Sequence, residues 1–282
     1  MAPSSFGDRE YWDERYAKRG EDFDWLLPAT CMDGAIVRAL KDTKRPNPRV
    51  IHLGCGTSTL SYHLRKFVDE PGQIHNVDFS ETAIELCREK ERELLTRKDP
   101  EGPEKSEAMR WSVVDLLSPD DVTRLASDGR IPPYDVVVDK STCDSVCCAD
   151  DLSVPSPSLI RAADPDPDPE GPATITSIHP LDMLGVNIAC LAPPGTHWIA
   201  LSYSKDRFSG WFEGQGPKSA WIRGGGNCLP HPSRLWELKS WEAIPVNQDD
   251  GKAGTGIHQP EILDYVYILV RTDVPLAGRN QE

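Results

Sequence analysis

Short runs of apolar residues alternate with amphipathic stretches along most of the chain. Seven runs rich in β-branched and aromatic residues predict strands. They are residues 49–53, 73–78, 109–115, 134–139, 197–203, 235–244 and 265–271. Apolar positions at helical spacing predict helices at 58–67, 80–95 and 180–191. The alternation of strands and helices predicts an α/β fold, a mostly parallel sheet with helices on both faces.

Proline interrupts this pattern in the second half of the chain. Six prolines fall within residues 148–177, and residues 164–171 read Asp-Pro-Asp-Pro-Asp-Pro-Glu-Gly. Proline lacks the N–H group that a helix or sheet needs, so this segment is predicted to be a solvated, extended insertion without regular structure. The strand pattern resumes after it. We therefore expect the insertion to interrupt a single domain over residues 1–282.

Composition narrows the classes of partner and cofactor. With 31 basic and 45 acidic residues, the net charge of −14 disfavours a nucleic-acid partner, because phosphates would be repelled. The eight cysteines form no Cys-x-x-Cys pair and show no zinc-ligand spacing with histidine, so buried thiols and no metal site are expected. No signal peptide and no apolar run of about 20 residues is visible, which predicts a soluble, cytoplasmic protein without a membrane partner.

Two glycines follow the first predicted strand directly. Gly54 and Gly56 let the backbone approach a ligand and bring helix N–H groups beside it. A dinucleotide fingerprint would need glycine at Thr59, so NAD is disfavoured. The phosphate-binding Gly-Lys-Ser/Thr ending is missing as well. The loop therefore indicates some other nucleotide-like ligand.

Carboxylates end the next three strands. Asp78 can accept hydrogen bonds from the two hydroxyls of a ribose, and Asp115 can accept from an adenine amine while Leu116 packs on the ring. The fourth strand ends in Asp139 and Lys140. Because ligands of open α/β sheets bind at the carboxyl edge, these residues predict one site there. Each aspartate alone would also suit a turn or a helix cap.

The order of the elements suggests a known fold. Five alternating strand–helix units followed by two closing strands are typical of the seven-stranded, Rossmann-like sheet of class I S-adenosylmethionine-dependent methyltransferases. In that fold the last strand is antiparallel and lies between the fifth and the sixth. S-adenosylmethionine is therefore the expected cofactor.

The first half of the chain carries a more specific pattern. It consists of residues 11–16 (Tyr-Trp-Asp-Glu-Arg-Tyr), 23–25 (Phe-Asp-Trp), 53–58 (Leu-Gly-Cys-Gly-Thr-Ser), 77–80 (Val-Asp-Phe-Ser), Trp111, 115–116 (Asp-Leu) and 134–144. Over roughly residues 9–146, the chain resembles the methyltransferase-like group that includes the lysine methyltransferases of elongation factor 1A.

This resemblance implies a cofactor site. An N-terminal flap, residues 1–47, would place Trp12, Tyr16 and Trp25 against S-adenosylmethionine, whose sulfonium is attracted to aromatic faces. The other residues that it implies are Gly54 and Gly56 under the methionine part, Asp78 and Phe79 at the ribose and adenine, Asp115 and Leu116 at the adenine edge, and Lys140 near the amino-acid end. The chain departs from the superfamily at His52, where an acid is common. We expect His52 to be a hydrogen-bonded core residue.

The methyl acceptor is less defined by the sequence. The resemblance implies protein-lysine N-methylation of an elongation factor 1A-like target. Asp139 and Asp144 are candidates for orienting the substrate, and a structural role is the alternative for each. An alternative is a small-molecule N-, O- or S-methyltransferase, because Trp211, Phe212 and Trp221 follow the fifth strand and could enclose an apolar ligand or anchor a loop. A third reading is a non-catalytic module that binds the cofactor. The sequence does not indicate an oligomeric state.

Overall fold

A seven-stranded sheet forms the centre of the molecule. A computed structural model of the chain describes residues 5–19, 24–98, 108–128, 133–153, 161–162, 177–212, 221–224, 227–246 and 261–277. The strands are β1 (Val50–Leu53), β2 (Ile74–Asp78), β3 (Arg110–Val113), β4 (Val136–Lys140), β5 (His197–Ser202), β6 (Trp236–Pro245) and β7 (Leu263–Arg271). Their spatial order is β6-β7-β5-β4-β1-β2-β3. Strands β1 to β5 are parallel, and β7 is antiparallel to both of its neighbours. The predicted fold class and the position of the last strand are confirmed.

Helices cover both faces of the sheet. They are α1 (Arg9–Arg19), α2 (Asp33–Asp42), α3 (Leu60–His63), α4 (Glu81–Lys98), α5 (Pro119–Ser127), α6 (Thr142–Val146), α7 (Pro180–Leu191), α8 (Ser209–Phe212) and α9 (Pro232–Leu235). Side chains of β4 alternate between the two faces of the sheet. Val137 packs in one core cluster with Leu184 of α7, whereas Val136 and Val138 pack in the other cluster with Ile36 of α2. Helix α7 is apolar almost all round because it is almost completely buried.

The predicted helices around the glycine loop differ in how well they form. Ser80 caps α4 as its sequence suggests, with its Oγ accepting from the Ala83 N–H at 3.1 Å. The predicted helix over 58–67 is shorter, because only α3 and the 3₁₀ turn Leu64–Lys66 form. Its first two hydroxyls, on Ser58 and Thr59, donate to the carboxylate of Asp24 and tie the segment to a loop.

The proline-rich segment is not wholly without regular structure. Leu152–Ser153 pairs with Ser177–Ile178, and Arg161–Ala162 pairs with Leu276–Ala277, both antiparallel. The prediction that residues 148–177 contain no sheet is therefore wrong at these points. The residues that pair are not prolines and keep the N–H groups that a ladder needs. Residues 154–160 and 163–176 of the predicted insertion lie outside the described residues, and the single domain over 1–282 stays a prediction.

An aromatic residue expected near a substrate lies in the core instead. The Trp211 ring packs beside Trp198 and Phe208, and its Nε1 donates to Asp182 Oδ1 at 2.7 Å. This tryptophan therefore anchors α8 to the core rather than enclosing a ligand. The side chain of Trp221 lies outside the described part of the chain.

The described segments contain neither a membrane-spanning helix nor a metal-binding cluster. Within them, no helix combines the length and the apolar character that crossing a bilayer requires. Nor does any group of three or more histidine, cysteine, aspartate or glutamate side chains in these segments have the arrangement of a metal site.

Candidate functional site

A cavity of about 530 Å³ lies at the carboxyl edge of the sheet, where β1 to β5 end. The structure brings all ten predicted cofactor residues together in its wall. They are Trp12, Tyr16, Trp25, Gly54, Gly56, Asp78, Phe79, Asp115, Leu116 and Lys140. Their roles toward a cofactor stay predictions, but residues from five separate segments of the chain converge on one space.

The glycine loop is shaped in a way that only glycine tolerates easily. Gly54 and Gly56 both have positive φ angles, 49° and 47°, in the left-handed region. A Cβ atom on Gly54 would run into the Thr142 side chain, and one on Gly56 would run into the Tyr16 hydroxyl. The backbone is thus packed closely between the cavity, α6 and the N-terminal flap.

Asp78 fixes this loop from the end of β2. Its Oδ2 accepts from the Gly56 N–H and its Oδ1 from the Ser80 N–H, both at 2.8 Å. Burial raises the pKa of Asp78 to about 6, and the two N–H groups oppose that shift. Each carboxylate oxygen has a second lone pair, so Asp78 can accept further hydrogen bonds from a ligand in the cavity.

Aromatic residues of the N-terminal flap pack against one another along the cavity. The rings of Trp12 and Tyr16 are stacked with centroids 5.6 Å apart, and Trp25 lies 5.5 Å from Trp12. Phe6, which sequence reasoning missed, meets Trp25 edge-on at 4.7 Å. The carbonyl of Phe6 accepts from Trp12 Nε1 at 2.8 Å and from the Ser145 hydroxyl at 2.5 Å, which joins the flap to α6.

An ion pair between a buried lysine and a partly exposed aspartate fastens the flap to the sheet. The Lys140 side chain is only 2% exposed, and its Nζ donates to the Trp25 carbonyl at 2.5 Å and to Asp24 Oδ1 at 3.4 Å. Burial lowers the pKa of Lys140, while Asp24 opposes the shift. Burial raises the pKa of Asp24, but hydrogen bonds from Ser58, Thr59 and the lysine outweigh it and leave the pKa below its ordinary value. Asp24 belongs to the Phe-Asp-Trp segment, yet nothing in the sequence indicated this contact.

The two weak catalytic candidates occupy different places. Asp139 is fully buried and absent from the cavity wall, and its carboxylate accepts the N–H groups of Thr142 and Cys143, which caps α6. The structure gives this aspartate a capping role and does not bring it to the site. Asp144 does line the cavity, where it pairs with Arg207 at 2.7 Å and accepts from the Ser202 hydroxyl.

His52 is the hydrogen-bonded core residue that the sequence led us to expect. It is buried in the cavity wall, with Nδ1 3.0 Å from Ser61 Oγ and 3.3 Å from Asn76 Oδ1. Burial lowers its pKa to about 4, so the ring is neutral at pH 7.

We expect Gly56→Ala to weaken ligand binding in the cavity by about tenfold, because the left-handed backbone and the Tyr16 hydroxyl both oppose a Cβ atom. Tyr16→Phe removes that hydroxyl, so the double variant should recover part of the loss. Equilibrium binding of S-adenosylhomocysteine to the single and double variants measures this. Equal binding by Gly56→Ala and the unaltered chain would contradict the packing described here.

Comparison with known proteins agrees with the fold. A family model described as a methyltransferase domain matches residues 44–98, which hold the glycine loop and Asp78. A methyltransferase of Neurospora crassa, srdJ, is 31% identical over 151 residues, covering 53% of this chain and 57% of that protein. EEF1A lysine methyltransferase 4 of Mus musculus is 24% identical over 71% of this chain and 62% of its own length. The chain thus spans about three fifths of these two relatives.

Further matches come from a shorter relative and from a solved structure. The mitochondrial citrate synthase-lysine N-methyltransferase of Homo sapiens is 32% identical over 89 residues, 30% of this chain and 37% of that protein. A SAM-dependent methyltransferase from Anabaena variabilis superposes with a TM-score of 0.52 at 11% identity, covering 94% of each chain. This structural likeness concerns the fold.

The strand order, the glycine loop and the family model indicate the same kind of domain. Residues 44–98 match a methyltransferase domain, and the strand order is that of the Rossmann-like methyltransferase fold. The residues present fit S-adenosylmethionine, the cofactor that this fold implies. A closely approached glycine loop, a buried aspartate at the end of β2 and an aromatic flap surround one cavity.

Proposed function

We propose that the protein transfers a methyl group from S-adenosylmethionine to a lysine side chain of another protein, with elongation factor 1A as the first target to test. The observation that carries the transferase activity is the convergence of all ten predicted cofactor residues on one cavity. The lysine specificity is supported by the relatives named as lysine methyltransferases. The acidic net charge of −14 also suits a basic protein partner.

Each part of the cavity wall has a task in this proposal. S-adenosylmethionine supplies an electrophilic methyl group on a positively charged sulfur when it is bound. Asp78 accepts the ribose hydroxyls, and Asp115 with Leu116 holds the adenine. Trp12 and Tyr16 present aromatic faces that favour a cation. The enzyme's main contribution is alignment of the acceptor and exclusion of water, which is worth about 7–11 kcal/mol in well-oriented reactions.

A small-molecule methyltransferase remains the alternative, and the test must distinguish it from a protein-lysine methyltransferase. Its support in the sequence was the aromatic group after the fifth strand, and Trp211 of that group is part of the core. The family model covers only residues 44–98, on the cofactor side, and therefore does not distinguish the acceptors.

The test is transfer of labelled methyl groups from S-adenosylmethionine into a cell extract, separated by acid precipitation. We expect label in the protein pellet, concentrated in one band that lysine-specific digestion and mass spectrometry identify. Asp78→Ala serves as the control that should transfer nothing. Label confined to the acid-soluble fraction would refute the protein-lysine proposal in favour of a metabolite acceptor.

A further inference from the structure

A buried asparagine interrupts the apolar helix α7. Asn187 is fully buried, and the residues on either side of it, Val186 and Ile188, belong to the hydrophobic core. Its Oδ1 has no hydrogen-bond partner among the described residues. A buried amide oxygen without a partner is destabilising, and leucine has nearly the same size and shape. Packing in α7 therefore gives no reason for an asparagine at this position.

The other end of the same amide reaches the loop that follows β3. Asn187 Nδ2 donates to the Leu116 carbonyl at 2.8 Å, across 71 positions of the chain. The opposite orientation of the amide would bring two oxygen atoms together, so hydrogen-bond chemistry fixes which atom faces the loop. Leu116 lines the cavity and Asn187 does not. Asn187 therefore acts on a ligand in the cavity only through this loop.

The peptide group that accepts this bond also holds the side chain of Asp115. The Leu116 carbonyl and the Leu117 N–H belong to one planar peptide group. The Leu117 N–H donates to Asp115 Oδ1 at 2.9 Å. Because the group is rigid, a bond that fixes the direction of its carbonyl also fixes the direction of its N–H. Asn187 is thus linked to the Asp115 carboxylate through a single peptide group.

Other bonds hold the backbone of Asp115 but not its carboxylate. The Asp115 N–H donates to Asp121 Oδ2 at 3.1 Å, and the Asp115 carbonyl accepts from the Ser118 N–H at 3.0 Å. The bond from the Leu117 N–H occupies Oδ1 and leaves Oδ2 able to accept from a ligand. Asp115 lines the cavity, at the place assigned above to the adenine amine.

We propose that Asn187 is a positioning residue for recognition of the cofactor's base, which acts through the Leu116–Leu117 peptide to keep the Asp115 carboxylate turned toward the adenine amine. This inference rests on the proposed function, because it requires S-adenosylmethionine as the methyl donor. Without the amide of Asn187, the peptide can rotate and withdraw its N–H from Asp115. The carboxylate then occupies several rotamers, and the site distinguishes less well between an amine and a carbonyl on the base.

Two ligands that differ at one group of the base test this. S-inosylhomocysteine carries a carbonyl oxygen where S-adenosylhomocysteine carries the adenine amine, so it has no N–H to donate to Asp115 at that place. We expect the full chain to bind S-adenosylhomocysteine about a hundredfold more tightly than S-inosylhomocysteine in calorimetric titration. Asn187→Leu should reduce this preference about tenfold, chiefly by weakening S-adenosylhomocysteine. Asn187→Ala also lacks the donor, and it repeats the test with a smaller side chain.

Thr196→Val is the matched control for lost stability. Thr196 Oγ1 donates to the Tyr134 carbonyl at 2.8 Å, a second buried bond from a side chain to a backbone carbonyl. Thr196 comes directly before β5, at the edge of the sheet opposite the cavity. We expect Thr196→Val and Asn187→Leu to lower the melting temperature to a similar extent. Only Asn187→Leu should change the preference between the two ligands.

A double variant tests the route through Asp115. Asp115→Ala should remove most of the preference, and in that background Asn187→Leu should no longer weaken S-adenosylhomocysteine by more than about twofold. An unchanged preference in both Asn187 variants would overturn the inference. Equal weakening of both ligands would also overturn it, as would a loss that persists undiminished without Asp115, because Asn187 would then only stabilise the fold. Failure of the unaltered chain to bind S-adenosylhomocysteine would instead refute the proposed function itself.

Discussion

Asp78→Ala is expected to weaken S-adenosylhomocysteine binding by about two orders of magnitude. The substitution removes the acceptor for a ribose and also leaves the Gly56 and Ser80 N–H groups without their partner. Hydrogen bonds to a charged group are each worth about 1.5–3 kcal/mol, so their combined loss gives an effect of this size. Calorimetric titration measures it, with circular dichroism to show that the fold persists.

Asp78→Asn is the matched control. It keeps the shape and one carbonyl acceptor, so its loss of affinity should be smaller than that of alanine. Because burial raises the pKa of Asp78 to about 6, affinity in the unaltered chain should also decline as the pH falls below about 6 and the carboxylate takes up a proton. If Asp78→Ala bound with the affinity of the unaltered chain, Asp78 would have no part in ligand binding.

Asp24→Asn is expected to destabilise the fold by about 3 kcal/mol at pH 7, lowering the melting temperature by roughly 10 °C. It removes the charge partner of Lys140, whose side chain is 2% exposed. Without its charged partner, the buried lysine keeps only the Trp25 carbonyl and loses its proton more easily than the same lysine in the unfolded chain. The unfolded state then binds more protons, so the free energy of unfolding rises with pH. The difference in the free energy of unfolding between the unaltered chain and Asp24→Asn should therefore shrink between pH 7 and pH 9.5.

A double-mutant cycle isolates the pair. Lys140→Met replaces the buried charge with an apolar side chain of similar length, and combined with Asp24→Asn it should recover much of the lost stability. Thermal unfolding of the four proteins at both pH values provides the data. A double variant no more stable than Asp24→Asn, or an Asp24→Asn deficit independent of pH, would show that the ion pair does not fasten the flap.

Hydrophobic periodicity was enough to predict the sheet. All seven strands form within a few residues of their predicted bounds, because runs such as 134–139 are apolar on both faces, as a buried parallel strand must be. The convergence of glycines and aspartates at one edge follows from parallel strand direction alone. For the same reason, the positions of Gly54, Asp78 and Asp115 could be predicted without any contact information.

What the sequence could not reveal depends on contacts between distant residues. Asp139 lies in β4 and Asp144 in α6 directly after it, but whether each one caps α6 or lines the cavity is decided by its packing. Asp24 meets Lys140 across 116 positions, and no periodicity encodes such a pair.

Titration of the full chain with S-adenosylmethionine tests the central claim most directly. We expect saturable binding of one molecule per chain, which S-adenosylhomocysteine competes for and Asp78→Ala loses. No binding at millimolar cofactor, or binding that Asp78→Ala leaves intact, would contradict the assignment of this cavity as the methyl-donor site.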